Sequence, residues 1–319
     1  MVISARRWAA GVAVLVLALF AVGLAGCGEE SPATPTPSSP ASAGVITDFL
    51  GRRVQVPPSP SRIAAVSPTT IELLYYIGAT SVVRTDGVNY PPQAADLPSV
   101  GPSYSPSLDR LASYSPDLVL ADSVLQRGLV QRLESLGVPV VMVGIERVED
   151  VSRALRLVGQ AIGRPNAGEE AAARLERELE SLRGSVSGRR LRAMALIADA
   201  QGNVYAARND AYVGSILQFL GVQNVAADLP QTGPFPGFSQ ISAEAAGGLD
   251  PDVVLAISPA PPPAPRLSQL LPRMPGFGGL HAVREGRVVE IDPALFLQAP
   301  GPRVVEAARQ LKQALEGTR

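Results

Sequence analysis

The sequence predicts an α/β protein of two similar lobes, and three observations carry that reading. Short apolar strands alternate with helical segments along most of the chain, which is the pattern of largely parallel sheets. Residues 114–121, YSPDLVLA, are echoed at 249–256 by LDPDVVLA, so the same entrance to an apolar strand is used twice. Between these two segments the alternation breaks: two helices follow one another without a strand, and the first reads as a bridge between lobes.

The folded body begins near Val45, where residues 45–56 form a hairpin that turns at Leu50-Gly51 and stops at Pro57-Pro58. The stretch 66–101 organises the first lobe. A strand at 63–66 leads into it, Ser67-Pro68 turns the chain, and a helix starts on Thr69 or Thr70, either of which can cap it. Ile71, Leu74, Tyr75 and Gly78 share one helical face, while Glu72 in the first turn points outward, where the helix dipole tolerates a carboxylate. A strand at 81–85 precedes a loop with Asn89, Tyr90, Pro91 and Pro92; in such units ligand groups gather at the carboxyl ends of the strands. A helix at 107–114, a strand at 117–121, a helix at 126–136 stopped by Gly137 and a strand at 138–143 complete the lobe.

Val151, Leu155, Val158 and Ile162 stripe the bridging helix, which ends at Gly163-Arg164-Pro165. Asn166 with Glu169 resembles a capping pair, opening a second helix striped by Leu175, Leu179 and Leu182. The second lobe then reads as a strand at 192–198, a helix at 213–220, a short helix at 242–246, a strand at 252–257, a Pro-rich loop at 259–265, a helix near 267–271, a strand at 287–291 and a closing helix at 303–315. The expected boundaries are therefore a leader at 1–26, a tether at 27–44, an amino-terminal lobe at 45–148, the paired helices at 149–184 and a carboxyl-terminal lobe at 185–319.

Arg6 and Arg7 precede an apolar run from Trp8 to Leu24 that breaks at Leu24-Ala25-Gly26-Cys27, the order of an export signal. Those last four residues resemble the bacterial lipoprotein box, whose cysteine is lipidated and becomes the first residue. Acyl chains contribute about 0.8 kcal/mol per buried methylene, enough together to hold a protein on a membrane. The alternative is an uncleaved anchor helix, since a span needs roughly 20 residues. Residues 31–44, SPATPTPSSPASAG, bury too little apolar surface to order themselves and form a semi-extended tether.

With 46% hydrophobic and 18% charged residues, the 319-residue chain is globular. Its 28 basic and 29 acidic residues leave no basic field for a phosphate backbone, which argues against nucleic acid. Lys312 is the single lysine, which disfavours a Walker loop or a Schiff base; His281 and Cys27 are the single histidine and cysteine, which disfavours a zinc or copper site and any intramolecular disulfide. There is no Gly-x-Ser-x-Gly elbow, and a serine triad would have to be built on His281, in a Gly-rich passage where a capping or half-exposed histidine is the simpler reading. What remains is a set of aromatic, proline-stiffened loops at Tyr90-Pro91-Pro92, Ser103-Tyr104-Ser105, Pro234-Phe235-Pro236-Gly237-Phe238 and Leu295-Phe296. Such loops suit a large, flat or greasy ligand at low ordering cost, although some of the rings will be core.

An ordered series of motifs carries a family resemblance: Val66-Ser67-Pro68-Thr69-Thr70-Ile71-Glu72-Leu73-Leu74, Tyr90-Pro91-Pro92-Gln93-Ala94, Leu97-Pro98-Ser99-Val100-Gly101, Ser115-Pro116-Asp117-Leu118-Val119, Gly221-Val222-Gln223-Asn224-Val225 and Pro300-Gly301-Pro302-Arg303. Across the body after the tether, the chain resembles the cobalamin and iron-complex (siderophore, haem) substrate-binding proteins of ABC importers, and the Tyr-Pro-Pro-Gln-Ala run leans towards the cobalamin branch. The resemblance implies two Rossmann-like lobes joined by a single rigid inter-lobe helix, with the ligand in the cleft and no catalysis. It places Ser67, Pro68, Tyr90, Tyr104, Phe235, Phe238, Phe296 and Gln298 as ligand-binding residues. Glu72 and Glu244 fall where the family docks its permease, and Cys27 is the lipidation site. The implied partners are a permease dimer, a small-molecule ligand and the membrane, with the protein itself a monomer. The ligand is a cobalamin-like corrinoid or an iron chelate, and no resident cofactor or metal is expected. Departures bear on the ligand: the Pro-Trp-Pro-like loop is Pro234-Phe235-Pro236 with extra residues before Ser242, and Gln298 stands where a charged side chain is common. A secreted two-lobe hydrolase and a surface adhesion module remain as rival readings.

Overall fold

Hydrogen-bonded sheets on either side of a long helix carry the fold in a computed structural model that describes residues 44–186 and 191–317. These residues fall in one compact unit, Ala41–Arg319, and the expected leader, most of the tether and Cys27 lie outside them. Strands β1 (Gly44–Thr47) and β2 (Arg53–Val56) pair antiparallel as the expected hairpin. In the first half, β3 (Ile63–Ala65), β4 (Leu118–Asp122) and β5 (Val140–Val143) form a parallel sheet in that order. Its connections carry α1 (Pro68–Tyr76), α2 (Pro92–Ala95), α3 (Leu108–Ser113) and α4 (Val130–Glu134).

In the second half, β6 (Arg192–Ala198), β10 (Val253–Ile257) and β11 (Val288–Ile291) run parallel, with β10 in the middle, and β8 (Gln223–Asn224) joins β6 in the same sense. The sheet continues through β7 (Val204–Ala207) and β9 (Phe238–Gln240), both antiparallel to their neighbours. These two strands depart from the parallel-sheet expectation; each is too short to stand out as an apolar run. Helices α7 (Tyr212–Phe219), α8 (Ala243–Leu249), α9 (Leu267–Leu270), α10 (His281–Arg284) and α11 (Val304–Gly317) cover it.

Two helices lie between the halves in sequence, α5 (Val148–Ala161) and α6 (Pro165–Glu180). The stripe Val151, Leu155, Val158 and Ile162 is buried, and α5 touches α1 of the first half and α7 of the second. The Val148 N–H also donates to the Ser215 hydroxyl in α7 at 3.2 Å. Small residues let α5 and α6 close on one another: a Cβ on Gly159 would lie 2.7 Å from the Gly168 Cα.

The echoed segments build the same corner twice. Arg62, just before β3, receives the Asp117 N–H at its carbonyl (3.0 Å), gives its own N–H to the Asp117 carboxylate (3.0 Å), and reaches the Tyr114 carbonyl with its guanidinium (2.5 Å). Arg192, opening β6, does the same with Asp252 (2.8 and 2.9 Å) and the Leu249 carbonyl (2.6 Å). Ser115 and Asp250 both adopt a left-handed backbone, with φ of 44° and 43°. Each Pro-Asp thus fastens the strand it begins to the strand beside it.

Local expectations need four corrections. Ser67, not Thr69 or Thr70, caps α1: its hydroxyl accepts from the Thr70 N–H at 3.1 Å, and the Thr70 hydroxyl accepts from the Ser67 N–H at 3.1 Å. Glu72 consequently falls beyond the first turn and is buried. Residues 81–85 form no ladder; they hold on through the Val82 N–H to the Ile63 carbonyl (2.8 Å) and one bridge, Arg84 to Ser99. Asn166 sits inside α6, which starts on Pro165, and Glu169 pairs with Arg156 of α5 at 2.8 Å.

Candidate ligand cleft

The two halves close around a cavity of about 500 Å³. Val124, Ile145 and Glu146 wall it from the first half, and Tyr212, Phe238 and Phe296 from the second. Val124 follows β4 and Ile145-Glu146 follow β5, so the first wall is made by the carboxyl ends of adjacent parallel strands. From the second half come the link between β7 and α7, the 231–238 loop and a wide π-type turn at Ala294–Gln298.

Buried polar groups hold these loops. The Gln126 side chain accepts from the Asp122 N–H (2.8 Å) and donates to the carbonyls of Val66 (2.8 Å) and Ser103 (2.7 Å), tying three loops together. The Asp122 carboxylate accepts the N–H groups of Val124 (2.8 Å) and Leu125 (2.9 Å), fixing the wall residue Val124. Burial pushes Asp122 above the usual carboxylate range, against the opposing pull of those N–H groups and the Thr69 hydroxyl. Across the cleft, Gln231 accepts from the Gly237 N–H (3.0 Å) and donates to the Phe235 carbonyl (2.9 Å), closing its loop on itself. Gly237 needs its lack of a side chain: φ is 77°, and a Cβ would lie 2.8 Å from the Ala211 Cα. Tyr212 donates to the Gly301 carbonyl at 3.4 Å, and burial drives its phenol well above the usual range, so it stays neutral.

A second hollow, of about 830 Å³, opens beside α1 and is lined by Tyr75, Tyr76, Tyr90, Gln93 and Arg303. At its edge the Arg303 guanidinium grips the Glu72 carboxylate with two bonds, of 2.9 and 2.5 Å, and stacks 4.4 Å from the centre of the Tyr90 ring. Burial raises the Glu72 pKa, with Arg303 pulling the other way.

The expected ligand residues are therefore divided. Phe238 and Phe296 line the inter-half cavity. Phe235 lies half-buried in the same loop, edge-on to Tyr205 at 4.9 Å. Tyr90 is in the second hollow, Tyr104 is 71% exposed outside both hollows, and exposed Gln298 donates to the Pro259 carbonyl at 3.2 Å. Ser67 is fully buried as the α1 cap and presents nothing to a ligand, while Pro68 is the partly buried first residue of that helix. Glu72, expected on the surface for docking, is 2% exposed and ion-paired across the molecule, whereas Glu244 is exposed in the first turn of α8. Val124, Glu146, Asp210 and Gln231 line the cavity unanticipated; the signal for the first two was their place just past strand ends.

Two α/β halves presenting loops to a shared, aromatic-walled cavity define the class of two-lobe solute-binding proteins. The chain matches the periplasmic binding protein family over residues 63–295 and belongs to it. Among curated relatives it is 26% identical over 255 residues to the vitamin B12-binding protein of Salmonella choleraesuis (strain SC-B67), covering 80% of this chain and 90% of that one. Among solved structures it superposes on the petrobactin-binding protein YclQ of Bacillus subtilis with a TM-score of 0.75 at 16% identity, covering 86% of this chain and 99% of that one. The periplasmic heme-binding protein RhuT of Roseiflexus sp. RS-1 gives 0.69 at 23% identity, with 81% and 99% covered. Family members of this kind are binding proteins of transport, not enzymes.

Proposed function

We propose that the chain is a lipid-anchored, extracytoplasmic solute-binding protein that captures a cobalamin-like corrinoid in the inter-half cleft and delivers it to the permease dimer of an ABC importer. The observation that carries this is the cavity of about 500 Å³ walled from both halves, within the roughly 300–1,000 Å³ typical of small-molecule sites. The chemistry of the wall supports a ligand whose metal is already fully ligated. Among the described lining residues there is no histidine, cysteine or methionine, the phenol there, Tyr212, is held neutral, and of the two carboxylates Asp210 is paired with Arg208, which leaves Glu146 as the one unpaired anionic oxygen donor. A cobalt corrinoid brings its own ligands, and the vitamin B12-binding relative points the same way. The second reading, a ferric siderophore or haem, is favoured by the petrobactin- and heme-binding neighbours.

Thermal unfolding of the mature protein with cyanocobalamin, haemin and ferric siderophores separates these readings. The true ligand at about 100 times its dissociation constant adds roughly 2.7 kcal/mol of stability, and no response to any of them sinks the proposal. For docking, Glu244 is the clean probe: Glu244→Lys spares binding and lowers uptake in whole cells, and unchanged uptake removes the docking role. Reversal of Glu72 would set a second cation against Arg303 in the interior and would confound folding with docking. Cys27→Ala releases the protein from the membrane fraction if Cys27 is the anchor.

A further inference from the structure

We infer that Glu146 makes this cleft read carboxamides and reject carboxylates on the rim of its ligand, an inference that rests on the solute-binding reading above. Glu146 lines the cavity from the first half, is exposed to it, and makes no ion pair among the described residues. Asp210 lines the opposite wall, and the arginine two residues before it is already occupied: Arg208 pairs with Asp210 at 3.0 Å and donates to Gln231 at 3.3 Å. Carboxylates therefore line the cavity from both halves, but Asp210 is answered by Arg208, and Glu146 is the one left without a basic partner among the described residues.

A carboxylate only accepts hydrogen bonds. A primary amide on the ligand offers an N–H to Glu146, so the contact is charge-assisted and favourable. A carboxylate of the same size in the same place offers no donor and adds like-charge repulsion. A ligand edged with neutral amides fits this wall, and one edged with propionates or catecholates does not. The residue lies just past β5, where its backbone N–H donates to the Asp150 carboxylate at 3.2 Å, and it lines the cleft from there.

The test is calorimetric titration of the mature, full-length protein with cyanocobalamin and with a cobalamin in which one peripheral amide has been hydrolysed to the acid. The intact vitamin is expected to bind about fivefold or more tightly than the acid, and added salt should narrow the ratio. Glu146→Gln should bring the two affinities together, while the control Glu149→Gln, outside the cavity, should leave the ratio as in the wild type. Equal affinities in the wild type, or a ratio unmoved by Glu146→Gln, overturn the role of Glu146 while leaving the solute-binding reading intact. Failure of the wild type to bind either corrinoid overturns the corrinoid reading, and this inference with it.

Discussion

Glu72 shows how a single residue can be misplaced by its surroundings in sequence. Its neighbours make it look like a surface carboxylate near a helix start, yet it is buried beneath an arginine 231 positions away. A helical face records which side is apolar; it does not record a partner supplied by the far end of the chain. Removing one member of a buried pair strands the other charge, so Arg303→Met should cost about 3–5 kcal/mol in urea unfolding. The double variant Glu72→Leu/Arg303→Met should recover much of that loss, because no unpaired charge remains. The sign of the pH effect follows from the raised pKa. A glutamate in the unfolded chain loses its proton near 4.5, whereas folded Glu72 keeps it to higher pH. Over that interval the folded form holds the extra proton, so the stability contributed by this group falls as pH rises. Thermal midpoints measured from pH 4.5 towards neutrality should therefore drop more steeply for wild type than for Glu72→Gln. Phe238 and Phe296 line the cavity from loops visible in the sequence, but both are also buried in the core, at 5% and 1% exposure, a division between packing and cleft that loop-borne rings do not reveal by themselves.

At the level of elements, period and punctuation carried most of the fold. The buried stripes of α5 and α6 and the Pro-Asp entrances to β4 and β10 are visible in the residues themselves. What escaped were β7 and β9, whose antiparallel pairing depends on sheet neighbours and not on their own short runs. Close approach between helices was equally silent. Gly159→Ala would press a methyl against α6, where the Gly168 Cα and the Arg164 carbonyl stand 2.7 and 3.0 Å from the new atom. Overpacking of this kind should cost about 1–3 kcal/mol, read as a lowered urea midpoint with an unchanged slope. In α7, a Cβ on Gly214 would fall 1.8 Å from the Arg208 carbonyl, at the loop that shapes the cavity wall. Gly214→Ala should therefore weaken ligand binding in titration while far-ultraviolet circular dichroism remains close to wild type.

For the whole molecule, α5 packs against both halves and the Glu72–Arg303 pair ties α1 to the residue preceding α11. Two independent ties of this sort favour a fixed angle between the halves over a wide hinge. The radius of gyration from small-angle scattering should accordingly change little when ligand is added, and a marked contraction would show that the ties give way. The two-lobe plan was readable from the repeated corner and the broken alternation, but the split of the aromatic residues between two hollows was not, because it depends on how the halves face one another. The long-range pair also bears on the order of events as the chain is made. Synthesis delivers the first half early, but its carboxylate has no counter-charge until residue 303 emerges, 231 positions later. A chain that has not yet reached residue 303 therefore leaves Glu72 without its counter-charge, and the contact between α1 and the segment before α11 waits on residues made long after the first half.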